Sequence, residues 1–392
     1  MAQLKAARAA DVPCSAGAAA AAMPPPDTGA QLAAVASACI SGADAAAAAA
    51  ERRRPLTVIG HRGKGMNALA SADARMREVR ENTLRSFNDA AAVPGLAYVE
   101  FDVQVTKDGC PVIFHDNFIF TEQDGEISGR RVTDLHLDEF LSYGPQKDSG
   151  KTGKPLLRKL KDGRILRWDV QSEDALCTLR DAFEGVDRRV GFNVELKFDD
   201  DLLYTEEQLT RILNAVLKVV FEHANGRPII FSSFQPDAAQ LIRKLQDRYP
   251  VYFLTNGGTQ IYGDPRRNSL EEAVRLCLAG GLQGVVSEVR AILRQPSAVA
   301  RIKEAKLSLL TYGQLNNVPE AVYVQHLMGV DGVIVDLVRE IAEAAAAFAP
   351  APESSGSEGG GGKVDKPETA GTPSFSPREM SFLLRLIPDL VQ

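Results

Sequence analysis

A chain of 392 residues with 45% apolar and 24% charged side chains has the balance of a globular protein, long enough for one large α/β barrel or two medium domains. Its net charge of −6, with no basic face in the sequence, excludes an electrostatic grip on nucleic acid, and no run of about 18 strongly apolar residues offers a membrane-spanning helix. The scattered cysteines Cys14, Cys39, Cys110, Cys177 and Cys277 form no Cys-x-x-Cys pair, which argues against a disulfide framework or structural zinc and for a reducing compartment.

Residues 1–54 are dominated by alanine and broken by Met23 and Pro24 to Pro26. Such a segment buries little apolar surface and is expected to be poorly ordered. Its few acids (Asp11, Asp27, Asp44, Glu51) and its basic end, Arg52-Arg53-Arg54, are compatible with a plastid transit peptide, although these are usually richer in serine. A plain arm on a cytoplasmic protein is the alternative.

The folded domain is expected over residues 55–346. Short apolar, β-branched runs recur at residues 57–60, 98–105, 111–114, 191–196, 228–231, 251–254, 284–286, 307–310 and 332–335. Stretches with apolar spacing of three and four, at residues 209–222, 237–248, 270–279, 297–305 and 318–328, lie between many of them. Strands alternating with helices imply a parallel sheet. The runs at 98–105 and 111–114 have no helix between them, and Asp108-Gly109 is a tight-turn signal. That pair reads as a hairpin extending the second strand. Eight strands remain, so the expected architecture is a (β/α)₈ TIM barrel, with residues 117–189 inserted over its mouth. Residues 347–392 read as a tail. Its stretch 350–377 is a Pro-, Ser-, Gly- and Glu-rich linker, and Met380-Ser-Phe-Leu-Leu-Arg-Leu-Ile is a short apolar segment that packs back on the domain rather than binding a partner.

The second strand carries the most information. Side chains alternate faces along a strand, so Glu100, Asp102 and Gln104 point one way and Val99, Phe101, Val103 and Val105 the other. The apolar side suits the helix layer, which leaves two carboxylates facing the barrel interior. In the run at 191–196, Asn193 and Glu195, with Lys197 beyond, likewise oppose Phe192, Val194 and Leu196. Buried carboxylates cost several kcal/mol each unless neutralised. Three of them from neighbouring strands suit one hard divalent cation, Mg²⁺ or Ca²⁺. A solvated polar face is the bland alternative, and it fits poorly where both strand faces are buried.

His61 and His115 follow strands directly, at the ends where barrel enzymes keep their chemistry, and a pair can divide proton acceptance and donation. Arg62, beside His61, has the planar fork that clamps phosphate. Glu81-Asn82 precedes a helix that Thr83 can cap, so the pair is open to a structural role or a substrate contact. Gly150-Lys151-Thr152 lacks the glycine spacing and following helix of a P-loop, and no Gly-x-Ser-x-Gly elbow occurs.

His61-Arg62-Gly63, Glu81-Asn82-Thr83, Glu100-Phe-Asp102, Asp108-Gly109, His115-Asp116 and Glu195-Leu-Lys197 together resemble, in order and spacing, the glycerophosphodiester phosphodiesterase family over residues 56–342. Val285-Val-Ser-Glu-Val, Tyr312-Gly-Gln-Leu-Asn-Asn-Val and Gln325-His-Leu-Met are similar to its plant, plastid-type members. The resemblance implies hydrolysis of a small glycerophosphodiester, such as glycerophosphocholine, to glycerol 3-phosphate and an alcohol. It implies His61 and His115 as the acid–base pair, Glu100, Asp102 and Glu195 as metal ligands, and Arg62, Glu81 and Lys197 as substrate contacts. The attacking group is the glycerol 2-hydroxyl, through a cyclic phosphate, or water directly. Relatives often carry a tryptophan where this chain reads Thr311-Tyr312. The rival readings are a lysophospholipase D on the same barrel and a non-catalytic glycerophosphodiester-binding scaffold.

Overall fold

A computed structural model describes residues 55–148 and 150–348; the alanine-rich arm 1–54 and the tail from residue 349 onward lie outside the described residues. In chain order, β1 (Thr57–Gly60) and β2 (Leu96–Val105) are followed by β3 (Pro111–Ile113), β4 (Phe118–Gln123), β5 (Glu126–Arg131), β6 (Leu157–Lys159) and β7 (Ile165–Arg167). Then come β8 (Gly191–Leu196), β9 (Ile229–Ser233), β10 (Val251–Thr255), β11 (Gly284–Glu288), β12 (Ser308–Tyr312) and β13 (Gly332–Val335). Strands β1, β2 and β8 to β13 form one parallel sheet, and β1 pairs with both β13 and β2, which closes the ring. The expected eight-stranded barrel is therefore present. β3 lies antiparallel on the upper end of β2, with Val103 opposite Ile113 and Val105 opposite Pro111, as the Asp108-Gly109 turn signal implies.

Strand alternation builds two cores. Outward side chains, among them Val99, Phe101, Val103, Phe192, Val194, Phe231 and Phe253, pack against the helix layer, with Phe101 and Phe192 edge to face at 4.9 Å. Each such phenylalanine contributes about 2 kcal/mol or more through burial. Inward side chains Ile59, Ile230, Tyr252, Leu254, Val286, Leu310 and Ile334 fill the barrel. Helices start where the sequence signals them. Thr205 and Gln208 form a capping box at Glu206–His223, Ser269 caps Leu270–Gly280, and Gly281 ends that helix in the left-handed conformation at φ 64°.

Two differences from the sequence reading are informative. Strands β9 to β12 run one or two residues past the expected ends, through Ser233, Thr255, Glu288 and Tyr312. Apolar runs stop early there because the added end residues, Ser233, Thr255, Glu288 and Tyr312, carry polar groups. The stretch 117–189 is also less uniform than an insertion. β4 to β7 make a small antiparallel sheet in the order β5-β4-β6-β7, over a core that includes Phe114, Ile119, Leu135, Phe140 and Trp168. The helix Leu179–Gly185, however, carries a Thr178–Asp181 capping box and packs Ala182 and Phe183 into the barrel's outer core. β6 and β7 have three residues each, too few for a periodicity to register.

Candidate active site

Strand register brings the acids together. Asp102 pairs with Glu195 and Glu100 with Asn193 across β2 and β8, and one oxygen from each of Glu100, Asp102 and Glu195 lies within 4.8 Å of the others. Glu100 and Asp102 are buried. Their atoms Glu100 Oε1 and Asp102 Oδ1 are buried without a hydrogen-bond partner. Lys197 Nζ sits at the edge of the group, 3.0 Å from Glu195 Oε1 and 3.7 Å from Asp102 Oδ1. Burial, with the Asp102 charge next, pushes Glu100 up to about 8. Burial also works to raise Asp102, but His115, Arg62 and Lys197 outweigh it and hold that group at about 2. A site that forces one of its acids toward protonation, and leaves two oxygens orphaned, has the donor chemistry for a hard cation.

Arg62 is fixed by strained backbone. It takes φ 52° and Asn82 takes φ 57°, and the two are joined by a bond from Asn82 N–H to the Arg62 carbonyl at 3.0 Å. Positive φ at two non-glycine residues persists only where the surroundings over-determine it. Gly63 follows because a Cβ there would collide with Ser86 and Phe87. The Arg62 N–H donates to Glu100 Oε2 at 2.9 Å, and its Nη1 donates to Glu81 Oε1 at 2.8 Å. Its Nε lies 3.5 Å from Asp102 Oδ2, with no hydrogen-bond partner. Asn82 Nδ2 donates to Asp102 Oδ2 at 2.9 Å, while Thr83 accepts from Ser86 N–H as the cap of Leu84–Ala91. Glu81-Asn82-Thr83 thus divides its work: Thr83 starts the helix, and the other two face the site.

Glu81 is fully engaged by protein. Beyond Arg62, it accepts from Arg158 Nη2 and Nη1, both at 3.0 Å, and from the Asn67 N–H. Burial works against its charge, but Arg158 and Arg62 outweigh it and hold Glu81 at about 2.

The two histidines stand on either side of the acids, each with Nδ1 at 2.7 Å from an aspartate oxygen, Asp336 for His61 and Asp116 for His115. Their proton affinities diverge. Burial is the largest influence on His61 and lowers it, but the charge and hydrogen bond of Asp336 together with the Glu100 charge outweigh it, and the net shift is upward. At His115 burial is reinforced by the charges of Arg62 and Lys197, and the ring is held well below its ordinary value.

All eight residues expected from the sequence (His61, Arg62, Glu81, Glu100, Asp102, His115, Glu195 and Lys197) meet at the mouth. Three residues in contact with this set were missed. Asp336 follows β13 directly, the same strand-end signal that singled out His61. Asp116 lay in the His115-Asp116 pair without a role. Arg158 comes from β6 of the insertion, donating to Asp116 Oδ2 at 2.9 Å and Oδ1 at 3.0 Å and stacking over Trp168 at 4.2 Å; no local signal marks it.

Comparison with known proteins places this geometry. The model of the glycerophosphoryl diester phosphodiesterase family matches residues 61–340. Glycerophosphodiester phosphodiesterase GDPD3 of Arabidopsis thaliana is 61% identical over 289 residues, 74% of this chain and 78% of that relative. Glycerophosphodiester phosphodiesterase GDPD1, chloroplastic, from the same plant is 56% identical over 336 residues, 86% of this chain and 90% of that one. Among solved structures, an Oleispira antarctica phosphodiesterase in complex with the product sn-glycerol-3-phosphate matches with a TM-score of 0.52 and 21% identity, over 74% of this chain and 97% of its own; that likeness speaks for the fold. With a family match from residue 61 to residue 340 and relatives of this identity, the chain belongs to the glycerophosphoryl diester phosphodiesterase family.

Proposed function

We propose that the mouth hydrolyses glycerophosphodiesters such as glycerophosphocholine to sn-glycerol 3-phosphate and a free alcohol, in glycerophospholipid turnover. The observation that carries this reading is the convergence of three carboxylates within 4.8 Å, two of whose oxygens are buried without a partner, between two His–Asp pairs. Glu100, Asp102 and Glu195 would hold one divalent cation, Mg²⁺ or Ca²⁺, both of which take oxygen ligands. Bound there, it offsets charge growing on the phosphoryl oxygens.

The chain's own residues supply the rest. Arg62 offers its Nε, which makes no hydrogen bond within the protein, to a phosphate oxygen, and Lys197 adds a second positive group at the edge of the acids. Glu81, with both oxygens taken, acts on substrate through Arg62. Asp116 and Asp336 hold the imidazole rings by Nδ1, which leaves each Nε2 for proton transfer. His115, kept neutral, accepts the proton of the attacking group, which is either water or the glycerol 2-hydroxyl, whose cyclic phosphate water then opens. His61, whose proton affinity is raised, gives one to the leaving alcohol.

The test is release of glycerol 3-phosphate from glycerophosphocholine with and without chelator, for the native chain, His61→Ala and Glu100→Ala. Chelation and both substitutions are expected to abolish release. Undiminished activity in either variant would overturn the site assignment. The plastid reading is supported by the composition of residues 1–54 and by likeness to a relative named chloroplastic. Cytosolic fluorescence of a reporter carrying those residues in leaf cells would refute it.

A further inference from the structure

Large apolar side chains exposed to solvent concentrate at one end of this barrel. Phe118 and Ile127 lie on the hairpin of β4 and β5, Leu203 on the segment after β8, and Ile261 on the segment after β10; their exposures are 37%, 50%, 100% and 78%. The segments after β8 and β10 leave the carboxyl ends of barrel strands, and the β4–β5 hairpin belongs to the excursion that leaves the carboxyl end of β2, so all four residues sit on segments at the mouth. Phe118 and Ile127 share a face of the hairpin with Phe120, because Phe118 and Phe120 are two residues apart on β4 and Ile127 lies opposite Glu122, two further along. The Phe118 and Phe120 rings are 6.3 Å apart.

Ion pairs at the base tie these loops into one structure. Arg131, at the end of β5, stacks over the Phe118 ring at 4.7 Å and pairs with Asp199. The next residue, Asp200, accepts from Arg267 Nη1 at 2.7 Å, and Arg267 lies over Tyr262 at 3.7 Å, beside Ile261. The apolar crest is therefore carried on a braced rim.

We propose that this crest docks the mouth on a zwitterionic phospholipid surface. Apolar side chains carried on three separate segments suit a deformable apolar medium, into which they can insert, better than a rigid protein face. Charge selects the kind of surface. The arginines of these segments, Arg130, Arg131, Arg266 and Arg267, are all paired with carboxylates. Glu122, Asp124, Glu126 and Asp201 have no ion pair among the described residues. The rim is thus net acidic: it is repelled by an anionic bilayer and tolerates one whose outer layer is a choline cation. The phosphodiesterase reading enters only in what the docked mouth would meet, a glycerophospho head group presented by lipid.

The test is flotation of the full chain with phosphatidylcholine vesicles and with phosphatidylserine vesicles, alongside turnover of soluble glycerophosphocholine. The native protein is expected to float with phosphatidylcholine and less with phosphatidylserine. Leu203→Glu and Ile261→Glu should each cut the bound fraction about tenfold while soluble turnover stays within about twofold. Phe221→Glu, at an exposed apolar position (49%) on the outer helix Glu206–His223, should float as the native chain does. No flotation, an equal loss in Phe221→Glu, or preference for phosphatidylserine would overturn the crest. Flotation that depends on Leu203 and Ile261, from a protein releasing no glycerol 3-phosphate, would keep the crest and sink the phosphodiesterase reading instead.

Discussion

The two flanks of the mouth use the same pair of residue types at the same 2.7 Å separation and arrive at opposite proton affinities. On the His61 flank the partner is Asp336, at the end of the barrel's own last strand, which also accepts from Met66 N–H and Asn317 Nδ2. Asp336 is the largest favourable influence on the His61 cation. On the His115 flank the partner is Asp116, already shared with Arg158; burial is the largest influence against the cation there, and Arg62, Lys197 and Arg158 add to it. A His–Asp pair therefore does not define a role. The surrounding cations do, and on this flank one of them comes from the insertion.

The sharpest way to break the comparison is to remove each ring. His61→Ala and His115→Ala are each expected to lower kcat by about 10²- to 10⁴-fold on glycerophosphocholine. With a diester whose leaving group is a nitrophenolate, which needs no proton, His61→Ala should regain most of its activity and His115→Ala should not. Equal rescue of both would erase the asymmetry.

A second test cuts the link between the insertion and the barrel. Arg158→Met strands the buried Glu81 carboxylate and loosens Asp116, and removing one partner from a buried ionic network costs about 3–5 kcal/mol. Denaturant unfolding should show that loss. It should be accompanied by a fall in kcat of about tenfold or more as Arg62 and His115 lose their orientation. An unfolding free energy equal to that of the native chain would mean that the insertion does not brace the site.

The smallest effect is the most specific. Asp336 raises the proton affinity of His61, so in Asp336→Asn the acid form is lost at lower pH. The alkaline limb of the pH–rate profile should move down by about one unit, while the acid limb, which reports deprotonation of His115, stays where it was. Movement of the acid limb instead would exchange the two roles.

Strand parity made most of the site legible in advance. Glu100 and Asp102 oppose Phe101 and Val103 on one strand, and Glu195 opposes Val194 and Leu196 on another, so the direction of the acids followed from periodicity alone. His61 and His115 followed from their places just beyond apolar runs. Glu81 was left between two roles because a residue beside a helix start can serve either. Only the buried fork of Arg158 shows that both its oxygens are spent on protein.

Local sequence, then, determined the barrel strands, most of the helices between them, the closed barrel and which side chains turn inward, because these depend on periodicities of two and 3.6 residues and on turn and cap chemistry. Tertiary structure alone decided which charges become neighbours across tens to hundreds of residues. His61 meets Asp336, Arg158 reaches Glu81 and Asp116, and Lys197, directly after β8, settles beside Glu195 and Asp102. Proton affinity depends on such distances and on exclusion of water, neither of which is written in the order of residues along one strand.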